Sequence, residues 1–202
     1  MPRSGCFAPP SFTSPGPQFS TQFAEARTLL AEAGYPEGKG LAPIEILYPS
    51  SDNGRIICEA LQEMWHKHLG IDVRLYNQEW KVYLNSTETK NYDVAWAAWI
   101  GDYVDPMTFL DMLVTNGGNN RTGWSNAAYD AMATEVQTLR DPAARMAVFA
   151  RMETVLSEEA PVIPLYHYAS VYLRRPEVRG WHANLLDTHP LQHVWLAPVD
   201  QG

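Results

Sequence analysis

Apolar and polar positions follow two periods along this chain, and the places where one gives way to the other outline its elements. Phe23, Ala26, Leu29, Leu30 and Ala33 recur at the spacing of one helix face, with Ser20 placed to cap the start and Gly34 and Pro36 marking the end. Residues 44–48 lean to a period of two and predict a strand. Ser51 is placed to cap a second helix with an apolar face of Ile57, Ala60, Leu61, Met64 and Trp65, closed by Gly70. Ile71, Val73 and Leu75 then alternate with Asp72 and Arg74, which predicts a second strand. Strand, helix and strand joined by short links form a βαβ unit, so the two strands should run parallel. Asn77, Gln78, Glu79 and Trp80 lead into a short helix ending near Asn85.

Residues 94–100 form a continuous apolar run containing Trp96 and Trp99. Such a run suits a central strand covered on both faces, although periodicity alone also allows a buried helix. It stops at Gly101, Asp102 and Tyr103, with Asp105 and Pro106 just behind. Ligands of open α/β sheets bind beyond the carboxyl ends of the strands. Trp99, Gly101, Asp102 and Tyr103 therefore read as the rim of a site for something cationic. The alternative is that Asp102 or Asp105 caps the helix that Pro106 begins. Trp80 follows one strand and Trp99 another, so the two indoles can line one cleft if those strands are neighbours; the alternative is that both rings are core. Tyr83 and Tyr103, read as exposed, carry the same ambiguity.

Downstream, a short helix passes through Phe109, Leu110 and Leu113, and residues 116–121 form a polar loop, read as a turn in preference to a flap. Trp124 and Ser125 precede a helix with Tyr129, Met132 and Val136 facing inward. Asp141 and Pro142 are a cap and first-turn pair for a helix placing Met146, Phe149, Met152, Val155 and Leu156 on one side. Residues 161–166 and 171–173 read as short strands, the first confined to an edge by its two prolines. The remainder is an aromatic, loop-rich tail. At the other end, prolines 2, 9, 10, 15 and 17 make residues 1–18 an extended linker or strap.

Composition narrows the function. The chain has 202 residues, 46% of them hydrophobic, enough to fold around a good core. Twenty-three acids against 15 bases give a charge of −8, and no run of Lys or Arg offers a nucleic-acid footprint. Such a surface favours cationic or neutral ligands. Seven tryptophans and ten tyrosines supply rings that stack and donate hydrogen bonds. Cys6 and Cys58 form no metal or disulfide pattern, and Cys58 on its helix face reads as a small core residue. No apolar segment is long enough for a transmembrane helix, and no apolar signal-peptide core stands at the N-terminus. The chain either stays inside the cell or is a piece of something longer.

Six histidines invite a catalytic or metal reading. His66 and His68 point to different sides of a helix. His182, His189 and His193 lie in the tail without a supporting ligand motif, so no metal site and no cofactor is expected. His167, just after the 161–166 segment, is placed for ligand contact or for a structural hydrogen bond. No nucleophile elbow or phosphate loop is present. Asp102 and Asp105 could serve acid–base work, but nothing else supports turnover, and the chain reads as not an enzyme.

Several stretches in order carry a resemblance: residues 23–40 (FAEARTLLAEAGYPEGKG), 44–53 (IEILYPSSDN), 69–84 (LGIDVRLYNQEWKVYL), 92–110 (YDVAWAAWIGDYVDPMTFL) and 161–173 (PVIPLYHYASVYL). Together they resemble the oligopeptide/dipeptide-binding proteins of bacterial ABC importers, solute-binding protein family 5, from about Pro9 onward. The resemblance implies an α/β fold: a mixed sheet flanked by helices, forming one lobe of a two-lobed periplasmic-binding-protein-like receptor of class II, cluster C. Residues 19–168 would be the carboxyl-terminal ligand-binding lobe, and the 169–202 tail would complete the first lobe of a full-length protein. The missing amino-terminal portion would hold the signal peptide.

By the same resemblance, Asp102 pairs the α-ammonium of a peptide, Trp80 and Trp99 wall its side-chain pockets, and Gly101 with its neighbours Ile100 and Tyr103 offers backbone to it. Enteric oligopeptide binders have an arginine where this chain has Trp96, so recognition of the rest of the ligand there would differ. The expected function is the periplasmic or cell-surface solute-binding component of an ABC importer. Its partners would be a peptide or other amine-bearing ligand and a membrane permease, with no nucleic acid and with self-association of the isolated lobe. The competing reading is a free-standing lobe that acts as an interaction module without a small ligand.

Overall fold

The computed structural model describes residues 19–167, 171–182, 184 and 186–198, with the side chains of 19–22 left aside. The proline-rich strap expected at 1–18, with Cys6, lies outside the described residues. Helix α1 (Phe19–Glu32) begins one residue ahead of Ser20. Strand β1 (Ile44–Pro49), helix α2 (Asp52–Leu69) and strand β2 (Val73–Gln78) form the expected unit, with β1 and β2 parallel and Ile44 opposite Val73. Ser51 caps α2 by accepting the Gly54 N–H at 3.1 Å. Gly70 ends α2 in the left-handed region, φ 70°. A side chain there would run into the carbonyl of Glu37, and one at Gly38 (φ +72°) would run into the carbonyl of Gly70. The two turns touch because both residues lack a Cβ.

Helix α3 (Trp80–Glu88) leads to β3 (Val94–Ala95), which pairs with β1 in parallel, giving the order β2-β1-β3. The central strand is therefore β1 and not residues 94–100. Ile46, Leu47 and Tyr48 are 0, 1 and 7% exposed, so consecutive residues of β1 are covered on opposite faces. The 94–100 run contributes only two ladder residues at the sheet edge, plus the Trp96 N–H to the Leu47 carbonyl at 2.8 Å, and its second half is exposed. Ile46 and Tyr48 pack with Ile71, Val73 and Cys58, and Leu61, Trp65 and Leu69 of α2 close over them. Each large side chain in this layer contributes about 1.5–3 kcal/mol. Ala60, expected on the inner face, is exposed, because it lies about 200° around the helix from the fully buried Cys58. Burial pushes the Cys58 thiol up to about 11.

A second core is helical. Helix α4 (Met107–Leu110) continues into a 3-10 turn, and helices α5 (Ala127–Thr138) and α6 (Pro142–Glu159) pack beside it. Leu110, Leu113, Tyr129, Val136, Phe149 and Met152 form its centre. Asp141 caps α6 through the Ala144 N–H at 2.9 Å, as the Asp-Pro pair predicts. The Tyr129 hydroxyl donates to the Leu110 carbonyl at 2.7 Å. Residues 116–121 are a turn: the Asn120 amide donates to the carbonyls of Leu113, Val114 and Trp124. Arg121 ties this turn back to α3 by donating to the Thr87 hydroxyl at 2.7 Å and facing Glu88 at 3.6 Å, while its carbonyl accepts from the Tyr92 hydroxyl at 2.6 Å.

After α6 the expected strands at 161–166 and 171–173 are not formed. Ile163, Tyr166, Val171 and Leu173 are exposed, and among the described residues they join no ladder. The tail instead holds a small antiparallel pair, β4 (Val178–Arg179) with β5 (Trp195–Leu196). Among the described residues no helix is long and apolar enough to cross a membrane.

Candidate functional site

Because all three strands of the main sheet are parallel, their carboxyl ends lie on one side, where the chain turns at Ser50, at Glu79 and in the segment after Trp96. Two of these turns are joined: the Ser50 N–H donates to the Gln78 carbonyl at 2.8 Å and the Asn77 amide to the Ser50 hydroxyl at 2.7 Å. Trp80 opens α3 and is 55% exposed, its ring stacked on Tyr83 at 5.6 Å. Tyr83 is buried, contrary to the expectation from sequence. Its hydroxyl donates to the Trp96 carbonyl at 2.8 Å, and burial raises its phenol above the usual range. Trp96 is half-buried and packs against the core between sheet and α2. The strands leading to Trp80 and Trp99 are not neighbours, since β1 separates them.

From Trp99 onward the chain lies over α4. Trp99 is 36% and Ile100 73% exposed. A Cβ on Gly101 would sit 3.0 Å from the Thr108 methyl and 3.3 Å from the Phe109 ring, so glycine lets the segment lie close on the helix. The Asp102 N–H donates to the Thr108 hydroxyl at 2.9 Å. The Tyr103 hydroxyl donates to Asp111 at 3.0 Å, and desolvation followed by that carboxylate push the phenol up to about 12.

The two carboxylates of this segment separate cleanly. Asp105 accepts the Met107 N–H at 2.9 Å through Oδ1 and meets Arg145 of α6 at 2.6 Å through Oδ2. Asp102 is exposed, and no side chain among the described residues pairs with its carboxylate. The role at the start of α4 falls to Asp105. Sequence reading missed Thr108 and Arg145. Thr108 looks like an ordinary helix residue, and Arg145 is 40 residues from its partner.

His167 is exposed on the irregular run after α6. Elsewhere His66 lies 3.8 Å from Asp72, His68 stacks on Phe23, and His189 stacks on Trp181 while meeting Asp187 at 2.7 Å. Among the described residues no group of acids, histidines or cysteines is arranged to hold a metal. An open hollow of about 690 Å³ lies in the tail beside His189, His193 and Trp195, and another of about 500 Å³ beside Met107, Asp111 and Asp130. Neither includes Asp102.

Comparison with known proteins shows the family of the chain. The periplasmic murein peptide-binding protein MppA of Escherichia coli K12 is 41% identical over 161 residues, which cover 80% of this chain and 30% of MppA. The periplasmic oligopeptide-binding protein OppA of the same strain is 36% identical over 157 residues, covering 78% of this chain and 29% of that protein. The solved structure of the E. coli murein tripeptide binding protein MppA matches with TM-score 0.80 at 37% identity, over 89% of this chain and 35% of that one. Haemophilus influenzae OppA in complex with RPPGFSPFR matches with TM-score 0.77 at 32% identity, over 89% of this chain and 35% of that one. The chain thus spans about a third of the length of these relatives. The family model for bacterial extracellular solute-binding proteins, family 5 middle region, matches residues 2–121, and with these likenesses it establishes that the chain belongs to that family.

Proposed function

We propose that the chain forms one wall of the ligand cleft of an extracytoplasmic receptor serving an ABC importer, and that it captures peptides or other small amine-bearing solutes. Asp102 pairs the ligand ammonium. Trp80, Trp99 and Tyr103 flank it with exposed ring surface, and Ile100 and Gly101 offer backbone. Residues 19–168 make up the ligand lobe, and residues 169–202 belong to the other lobe of the complete receptor. A membrane permease is the downstream partner.

The observation that carries this reading is the contrast between Asp102 and Asp105. One carboxylate is committed to Arg145 and a backbone N–H, whereas the other stands open at the carboxyl end of a parallel sheet. The same contrast argues against hydrolysis by this pair, because Asp105 is held by a cation. Names of relatives such as murein peptide-binding and oligopeptide-binding protein support the peptide class.

An ion pair on an open surface contributes about 0–1 kcal/mol. Removing one partner of a pair enclosed by lobe closure costs on the order of 3–5 kcal/mol, because the other charge is left buried alone. Titration calorimetry on a receptor containing both lobes is the test. Asp102→Ala is expected to lower affinity for an amine-bearing ligand by that larger amount, and unchanged affinity would overturn the assignment.

A further inference from the structure

The segment carrying Asp102 is not held by its own carboxylate. It is held from below by one side chain. Thr108 is 2% exposed and touches two consecutive residues of the segment: its methyl supports Gly101, and its hydroxyl accepts the Asp102 N–H at 2.9 Å. The flanking ties, Tyr103 to Asp111 and Asp105 to Arg145, fix the segment further along. Thr108 is thus the nearest fixed point to the open carboxylate.

We infer that Thr108 is the positioning residue of the site: its hydroxyl sets the direction of the Asp102 backbone and thereby aims the carboxylate at a ligand ammonium. This rests on the reading of Asp102 given above. Threonine suits the task because one side chain supplies both an acceptor and a methyl, and branching at Cβ restricts its χ1. Losing the acceptor while keeping the shape leaves the fold intact, since valine fits a buried site of this size and the released N–H sits on a segment that water can reach.

The test uses a receptor containing both lobes, labelled with ¹⁵N and titrated with trialanine and with N-acetyl-trialanine, which lacks the ammonium. The wild-type chain is expected to prefer the free amine by more than about 100-fold, the scale of a charge left buried without its partner. Thr108→Val is expected to reduce that preference at least about tenfold and to speed hydrogen exchange of the Asp102 amide, with an unfolding midpoint close to wild type. Thr108→Ser, which keeps the hydroxyl, should retain the preference. If the valine variant discriminates as well as wild type, or if serine loses discrimination as fully as valine, the positioning role is overturned. If the wild-type chain itself treats the two peptides alike, the assignment of Asp102 fails, and the role of Thr108 falls with it.

Discussion

Arg145 and Asp105 meet at 2.6 Å across 40 residues of chain, and this contact decides which acid of the segment remains available. Both side chains are about two-thirds covered, and Arg145 also lies over the Phe149 ring at 5.5 Å. The pair joins the start of α4 to the first turns of α6.

This arrangement predicts opposite stability effects for two neighbouring acids. Asp105→Ala or Arg145→Ala should destabilise the chain by about 1–3 kcal/mol, the scale of a charge-assisted hydrogen bond lost from a partly covered site. Asp102→Ala should change stability by less than about 0.5 kcal/mol, as exposed substitutions generally do. Urea unfolding measures both. A large loss for Asp102→Ala would make it a structural residue.

Tyr103 provides a pH dependence. Its folded-state phenol is raised, to about 12, by desolvation and by Asp111. The native state therefore holds this proton more tightly than the unfolded chain, whose phenol titrates near pH 10. The stabilisation is complete below pH 10 and is lost as pH rises toward 12. The urea midpoint should fall less steeply across that window in Tyr103→Phe than in wild type, and identical slopes would count against the Asp111 contact. Tyr83 and Tyr129 are raised in the same direction by burial, so a slope remains in the variant.

Gly70 provides a backbone test. Ala at this position meets both a positive φ and the Glu37 carbonyl, so Gly70→Ala should cost at least about 1–3 kcal/mol. Gly34 also has positive φ, at +93°, but nothing lies within 4 Å of its missing Cβ. Gly34→Ala should therefore cost less than Gly70→Ala. Thermal unfolding of the two variants side by side separates conformational strain from steric clash, and equal losses would refute the close approach of the 38 and 70 turns.

Much of the fold could be read from the sequence where local chemistry dictates it. The Ser51 cap, the Gly70 stop and the Asp141-Pro142 start are all decided within a few residues. The misreading of residues 94–100 has a physical cause. Apolar character does not by itself mean burial on both faces: the strand so buried is β1, which is disguised by Glu45 and Pro49. Of the rings in the later run, Trp96 packs against the first core and Trp99 keeps part of its surface exposed. Asp102 stood out through its glycine and its place after an apolar run. Its support by Thr108 and its release from helix duty by Arg145 are tertiary facts with no local signature. The β4–β5 pair has two residues per strand, too short for any period to register.

The two cores share none of the residues that build them, and the segment with Asp102 passes from one to the other. Trp80 is thus built on the sheet side and Asp102 on the helical side. Arg121, bonded to Thr87 on one side and rooted in the 116–121 turn on the other, is a polar tie between two blocks that have no buried core residue in common.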